Sequence, residues 1–118
     1  MAIWVGDAVL LVRSSYRAEW NLPGGGVWPG ETPEGAARRE LMEELGLSAG
    51  ALVSARIVSG QFEGRRDRVH FFVWRVETLP VLRIDNREIV GARLVPRAQL
   101  AGLALTVPVR GFLAADAG

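Results

Sequence analysis

The amino-acid sequence predicts an α/β domain with a mixed β-sheet. Segments dense in β-branched and aromatic residues lie before and after one well-marked helix, and helical segments return near the C-terminal end. This order is typical of a sheet with helices packed against it. A chain of 118 residues, 49% of them hydrophobic, is long enough for one core and too short for two. We therefore expect residues 1–118 to form a single domain.

The N-terminal segment predicts two β-strands and a shorter extended piece. Ile3 to Val5 and Ala8 to Arg13 are mostly apolar, and the Gly-Asp pair between them favours a turn. Trp20 to Leu22 continue as an extended piece, until Pro23 and three glycines interrupt the pattern.

The helix is predicted from Pro33 to Leu45, because signals for both of its ends are present. Thr32 can cap the N-terminus, and proline is favoured at the first helical position. Gly46 is a typical residue with which to end a helix.

The C-terminal half predicts three strands and two helical segments. Residues 51–62 and 67–77 have the composition of strands, and the loop at 63–66 contains a glycine and can close a hairpin. A further strand is expected to end at Pro96. Beyond it, residues 97–103 and 107–117 predict one short and one longer helix.

Composition excludes several kinds of functional site. There is no cysteine, so disulfides, a thiolate nucleophile and cysteine-ligated metals are excluded, and His70 is the only histidine. We expect His70 to line a sheet face. A net charge of +1 gives no general attraction to nucleic acid, and no apolar run approaches the ~18 residues of a membrane span. We expect a cytoplasmic protein with no membrane partner and no nucleic-acid partner.

An acidic cluster, formed by Glu40, Glu43 and Glu44, lies near the end of the predicted helix. At about 100° per residue these side chains project within a ~100° arc, where like charges repel and oppose the helix dipole. Two interpretations are open. The cluster is a solvated face screened by Arg38 and Arg39, or it binds a dication, since carboxylate oxygens at this spacing suit Mg²⁺ or Mn²⁺.

From Gly25 to Leu47 the spacing resembles the Nudix box, Gly-x5-Glu-x7-Arg-Glu-U-x-Glu-Glu-x-Gly-U, where U is aliphatic, and every specified position matches. The resemblance implies a Nudix-type α/β/α sandwich. It also implies a hydrolase that uses Mg²⁺, for which Mn²⁺ can substitute, to cleave a pyrophosphate bond in a nucleoside diphosphate linked to another moiety. The box therefore favours the metal-binding interpretation.

The resemblance also implies roles for single residues. Glu40, Glu43 and Glu44 match the glutamates that hold the catalytic cations, and Gly24 stands where a backbone carbonyl can join them. For the general base, Glu40 and Glu43 are candidates. Glu88 resembles an acidic residue that many members carry ahead of a late strand, and it is either a further ligand or base or an ordinary surface residue.

Gly25, Glu31 and Gly46 are implied to be structural box residues, and Arg39 of the box is implied to belong to the catalytic set. Arg39 matches the arginine that braces the glutamates, and its i,i+4 relation to Glu43 permits that contact. Glu31 matches a residue that ties the loop to the helix. Gly25 and Gly46 are the fixed glycines of the box, and the glycines before the helix let the backbone approach the site.

Candidate substrate contacts lie outside the acidic cluster. Trp20 and Trp28 are able to stack on a base, although Trp20 is equally expected in the core. Phe62 follows the box where some subfamilies read their substrate, but packing at a strand end is its favoured interpretation. Arg65 belongs to a short basic patch with Arg66 and Arg68, which either grips distal phosphates or solubilises a hairpin tip.

Substrate motifs of three subfamilies are missing. The proline of many ADP-ribose pyrophosphatases, the tyrosine of dinucleoside polyphosphate hydrolases and the proline-rich stretch of NADH pyrophosphatases are absent. These absences weaken three assignments without establishing a fourth. Nucleoside triphosphates or their oxidised forms are the first expectation, because a chain this small is not expected to carry an accessory domain for a large second moiety, and we expect a monomer or homodimer. The alternatives are a catalytically silent nucleotide-sensing module and an RNA 5′-pyrophosphohydrolase.

Overall fold

A five-stranded mixed sheet forms the centre of the computed structural model, which describes residues 1–62 and 65–115, without the side chains of 60–62 and 65–67. The strands are β1 (Ala2–Val5), β2 (Ala8–Ser14), β3 (Val53–Phe62), β4 (Arg65–Val76) and β5 (Ile89–Pro96). The helices are α1 (Pro33–Leu45) and α2 (Val107–Ala115), with a 3₁₀ turn at Arg97–Gly102 between β5 and α2. The predicted α/β class is confirmed.

The sheet has the order β3-β4-β1-β2-β5. The neighbours β1 and β4 run parallel, whereas the other three pairs are antiparallel. A parallel pair needs a long crossover, and the segment between β1 and β4 supplies it with β2, α1 and β3. This crossover carries α1 onto one face of the sheet.

Two apolar layers, one on each face of the sheet, follow from the alternation of side chains along β2. Val9 and Leu11 belong to a layer that also contains Val109, Phe112 and Leu113 of α2. Leu10 and Val12 belong to the other layer, together with Leu41 and Leu45 of α1. Because successive strand residues point to opposite faces, one apolar strand serves both layers. The result is the predicted α/β/α sandwich.

Both predicted ends of α1 are confirmed. The Thr32 hydroxyl accepts a hydrogen bond from the Gly35 N–H at 3.0 Å, and Pro33 is the first helical residue. Gly46 ends the helix in the left-handed region with φ of 67°, where its N–H donates to the carbonyls of Leu41 and Met42. These caps set where the last turn stops, and so fix the position of the acidic cluster.

One local prediction needs correction. The hairpin strand β4 begins at Arg65 rather than at residue 67, because Arg65 and Arg66 pair with Phe62 and Gln61 across the hairpin. Glu63 and Gly64, the rest of the predicted loop, lie outside the described residues. The short extended piece predicted at 20–22 pairs through isolated bridges, from Asn21 to Val12 and from Trp20 to Leu105.

Candidate active site

Glu44 is the buried member of the acidic cluster. It is 5% exposed, and its Oε2 accepts a hydrogen bond from the Gly24 N–H at 2.9 Å. Burial raises the pKa of this carboxyl to about 8, against the opposing effect of the Gly24 hydrogen bond, and the charges of Glu40 and Glu88 add to the rise. Glu44 therefore sits in a dry position that disfavours its own negative charge, and the charge of the N-terminal amino group offsets only part of the rise in its pKa.

Arg39 is the cation at the centre of the site. Its Nε and Nη2 donate to the two oxygens of Glu31, at 2.8 and 2.9 Å, and Nη2 also donates to the Gly26 carbonyl at 2.9 Å. Its Nη1 donates to Glu40 at 2.7 Å and to Glu43 at 3.3 Å. The structure therefore contains both predicted contacts: Arg39 bonds to the glutamates of α1, and Glu31 connects the loop to the helix through Arg39.

The ion pair between Arg39 and Glu31 shifts the pKa values of both groups. The hydrogen bonds from Arg39 and from the Trp28 N–H hold the pKa of Glu31 below its ordinary value. The bonds to Glu31 and then to Glu40 raise the pKa of the Arg39 guanidinium, while partial burial opposes the rise. Arg39 and Glu31 are thus a fixed ion pair, in the bidentate geometry that arginine favours.

Glu40 is held against the glycine loop as well as by Arg39. A Cβ built on Gly25 would lie 2.6 Å from the Glu40 Cδ and 2.7 and 2.8 Å from its two oxygens. No side chain larger than hydrogen fits at Gly25 while Glu40 keeps this position. The glycine is therefore required here by a close approach and not by a special backbone angle.

The remaining two carboxylates of the prediction are more open to solvent. The Glu43 side chain is 52% exposed, and it meets Arg39 at the predicted i,i+4 spacing. Glu88 is exposed and lies immediately before β5, where its backbone carbonyl accepts from the Ser15 N–H at 2.9 Å. Its charge reaches Glu44 closely enough to raise the pKa of that carboxyl.

The chemistry of these donors suits a hard dication. Glu40, Glu43 and Glu44 lie in the last two turns of α1, and the hydrogen bond from the Gly24 N–H brings that glycine to Glu44. Among the described residues, no three acidic or histidine side chains are already arranged to hold one cation. Arg39 donates to one oxygen of Glu40 and the Gly24 N–H donates to one oxygen of Glu44, so each carboxylate has a second oxygen that could contact a cation.

A cavity of about 540 Å³ adjoins the glycine loop. Its walls include Gly24 to Gly26, Arg68 and His70 of β4, and Pro108 at the start of α2. His70 lines a sheet face, as predicted, and that face borders this cavity. The volume lies in the range of small-molecule sites, roughly 300 to 1,000 Å³.

The predicted substrate contacts differ in their position relative to the cavity. Trp20 is partly buried against the core layer of α2, and it is not among the residues that line the cavity. Phe62 and Arg65 pair through their backbones, and their side chains lie outside the described part of the structure. Arg68 does line the cavity. Trp28 is 57% exposed and stacks on Arg39, with the Arg39 Cζ 3.7 Å from the ring centroid.

Asn21 is a cavity residue that sequence reasoning did not single out. Its Oδ1 accepts from the Leu22 N–H at 2.9 Å and from the Thr106 hydroxyl at 3.3 Å. Within residues 1–62 and 65–115 its Nδ2 group makes no hydrogen bond to the protein, so its N–H donors are open to water or to a ligand. The only sequence signal near Asn21 was the short extended piece predicted at 20–22, which does not predict a role in binding.

Comparisons with known proteins agree with the fold. The family described as NUDIX domain matches residues 1–114. Mouse diphosphoinositol polyphosphate phosphohydrolase 3-alpha is 46% identical over 74 residues, which are 62% of this chain and 44% of that protein. A Bacillus subtilis (strain 168) protein with the provisional name 8-oxo-dGTP diphosphatase is 37% identical over 92 residues, 78% of this chain and 60% of its own length.

A solved structure also matches. The MutT NUDIX hydrolase from Burkholderia pseudomallei superposes with a TM-score of 0.83 over 95% of this chain and 90% of its own, at 24% identity. This likeness concerns the fold alone. No helix within the described ranges is long and apolar enough to span a membrane.

Proposed function

The chain belongs to the Nudix family, and from that premise we propose that it hydrolyses a pyrophosphate bond in a nucleotide-derived substrate with Mg²⁺ or Mn²⁺. The observation that carries the proposal is the environment of Glu44. A buried carboxyl with a pKa raised to about 8, influenced by the charges of Glu40 and Glu88, is stabilised by a bound dication. The cavity beside the same glycine loop offers room for the substrate.

The metal-binding role falls to Glu40, Glu43, Glu44 and the Gly24 carbonyl. When bound, the dication neutralises the pyrophosphate and orients it for attack by water. Arg39 keeps Glu40 in place and has no N–H free for the substrate, because its donors are occupied by protein oxygens. We assign it a positioning role.

The general base is proposed among the exposed carboxylates. Glu43 is half exposed and makes only the longer 3.3 Å contact to Arg39, so it can accept a proton from an approaching water. Glu88 is the second candidate, since it is exposed and close enough to influence Glu44. Glu40 is less suited, because its carboxylate already accepts a 2.7 Å hydrogen bond from Arg39.

Nucleoside triphosphates or their oxidised forms are the proposed substrate class. Asn21 lines the cavity, and a side-chain amide N–H is suited to an acceptor group on a nucleobase. The name of the Bacillus relative, which matches 78% of this chain, supports the same class. The mouse relative supports diphosphoinositol polyphosphates as a second class, but it matches only 62% of the chain.

Phosphate release from a panel of compounds tests the function. The panel contains nucleoside triphosphates, 8-oxo-dGTP, ADP-ribose, NADH, dinucleoside polyphosphates, a diphosphoinositol polyphosphate and 5′-triphosphorylated RNA, each with Mg²⁺ or Mn²⁺ and with a coupled pyrophosphatase. We expect metal-dependent turnover of the triphosphates. No turnover of any compound by a folded protein that still binds a nucleotide would favour a sensing module, and salt-dependent turnover of RNA alone would favour an RNA pyrophosphohydrolase.

Replacement of Asn21→Asp should weaken binding of a base-bearing substrate. Aspartate keeps the oxygen that accepts from Leu22 and Thr106 and removes the N–H donors, so an acceptor on the base is left unpaired. We expect KM to rise about tenfold with kcat nearly unchanged, measured by initial rates. Gln99→Ala, at an exposed amide in the 3₁₀ turn, is the control. An unchanged KM in Asn21→Asp would remove Asn21 from the binding site.

A further inference from the structure

A β-turn at Trp28 to Glu31 links an exposed aromatic ring to the arginine of the site. The Glu31 N–H donates to the Trp28 carbonyl at 3.0 Å, Pro29 takes the second position, and Gly30 has φ of 86° at the third. These are the marks of a type II turn. The Trp28 N–H also donates to the Glu31 carboxylate at 2.9 Å. The turn therefore fixes the positions of Trp28 and Glu31 relative to one another.

The two ends of this turn contact different parts of Arg39. Glu31 takes two N–H groups along the guanidinium edge, and the other N–H groups go to Glu40, Glu43 and the Gly26 carbonyl. An arginine has five N–H donors, so every in-plane direction is used. Only the two faces of the guanidinium remain open to water, and the Trp28 ring covers one of them at 3.7 Å.

The chemistry of this stack favours a fixed arginine. A guanidinium is weakly hydrated and stacks readily on an indole face, where the ring quadrupole attracts its charge. Shielding one face also keeps water away from the five in-plane bonds. The Arg39 side chain is accordingly only 17% exposed, although Trp28 beside it is 57% exposed.

We propose that Trp28 is a positioning residue, which with Glu31 clamps Arg39 and so holds Glu40 in the orientation that hydrolysis requires. The proposal rests on the hydrolase function proposed above. Because Arg39 donates a 2.7 Å hydrogen bond to Glu40, greater mobility of the Arg39 side chain should also make the Glu40 carboxylate more mobile. The competing assignment is a platform on which the substrate base stacks, and it makes a different kinetic prediction.

Three replacements of Trp28 separate these assignments. On the best substrate of the panel, Trp28→Ala and Trp28→Leu should lower kcat about tenfold while KM changes less than twofold, because the ring face is lost in both. Trp28→Phe should keep most of the activity, since it restores a ring. Tyr16→Ala removes another exposed ring near an arginine, with the Arg17 Cζ 5.9 Å from the centroid, and should leave both constants unchanged.

Two kinetic outcomes would overturn the clamp. A rise in KM with unchanged kcat would make Trp28 a substrate contact. Equal activities of the Leu and Phe variants would show that bulk alone is needed and that no ring face acts on Arg39.

A second measurement on the metal-free protein does not depend on turnover. In ¹⁵N-labelled protein, the Arg39 Nε–H resonance should be displaced by the ring current of Trp28 and exchange slowly with water, and Trp28→Leu should abolish both effects. An identical resonance in the Leu variant would refute the clamp. If the wild type hydrolyses no compound of the panel but shows this signature, the function proposal fails while the contact between Trp28 and Arg39 stands.

Discussion

Glu44→Gln is expected to reduce kcat by on the order of 10³-fold and to leave the fold intact. Glutamine has the same shape and an oxygen that can still accept from the Gly24 N–H. It cannot become negative, so the charge proposed to hold the dication is lost. Because burial raises the pKa of Glu44 to about 8, this residue is mostly uncharged at pH 7 in the metal-free protein, and a neutral substitute costs little stability.

Two measurements check this expectation. Steady-state rates give the loss of kcat, and urea denaturation without metal should give similar midpoints for the wild type and the variant. Titration calorimetry in buffers of different ionisation enthalpy adds a direct test. At pH 7 the wild type should release about one proton on binding Mn²⁺, and fewer above pH 8, since the ligand must be ionised. A variant that retains full activity would remove Glu44 from the metal site.

Gly25→Ala is expected to lower kcat on the order of 100-fold with only a small loss of stability. The added Cβ would fall 2.6 Å from the Glu40 Cδ, so the carboxylate must move. The displaced group is the far end of a flexible side chain, and the backbone around Gly25 need not change. We therefore expect the substitution to change the orientation of Glu40 and to weaken its hydrogen bond from Arg39.

The neighbouring glycine provides a matched control. A Cβ built on Gly26 meets no atom within 4 Å, so Gly26→Ala adds the same methyl group to the same loop without displacing Glu40. Its kcat should stay within about threefold of the wild type, because its backbone amide and carbonyl are unchanged. Equal losses in both variants would mean that the loop needs backbone freedom at each glycine and that the contact with Glu40 is not the cause.

Local sequence signals were sufficient for α1 and for one contact of the site. The caps at Thr32 and Gly46 act through their own backbone neighbours, and the Arg39–Glu43 pair follows from helical spacing. The shorter bond from Arg39 to Glu40 joins adjacent residues, which do not normally face each other on a helix. Glu40 also lies close to Gly25 of the glycine loop, and helical periodicity does not describe that contact.

Long-range contacts explain what the sequence left undecided. Trp20 was an open choice between core and substrate, and its backbone hydrogen bonds with Ala104 and Thr106 place it by the core. Asn21 is oriented by Thr106, 85 positions further along the chain, so no nearby residue marks it. The start of β4 depended on cross-strand pairing near Arg65, which composition does not specify.

The parallel pairing of β1 with β4 has a consequence for how the chain folds. Ala2 lies opposite Val73 and Val5 opposite Val76, so the innermost strand of the sheet finds one neighbour only after about seventy further residues have been made. During synthesis, β1 and β2 can pair as a hairpin at once, but the centre of the sheet stays open until β4 leaves the ribosome. Contacts so distant along the chain slow folding, because a long loop must close before they form. Until then, the apolar edge of β1 is exposed to other chains and is a place where a chaperone can act.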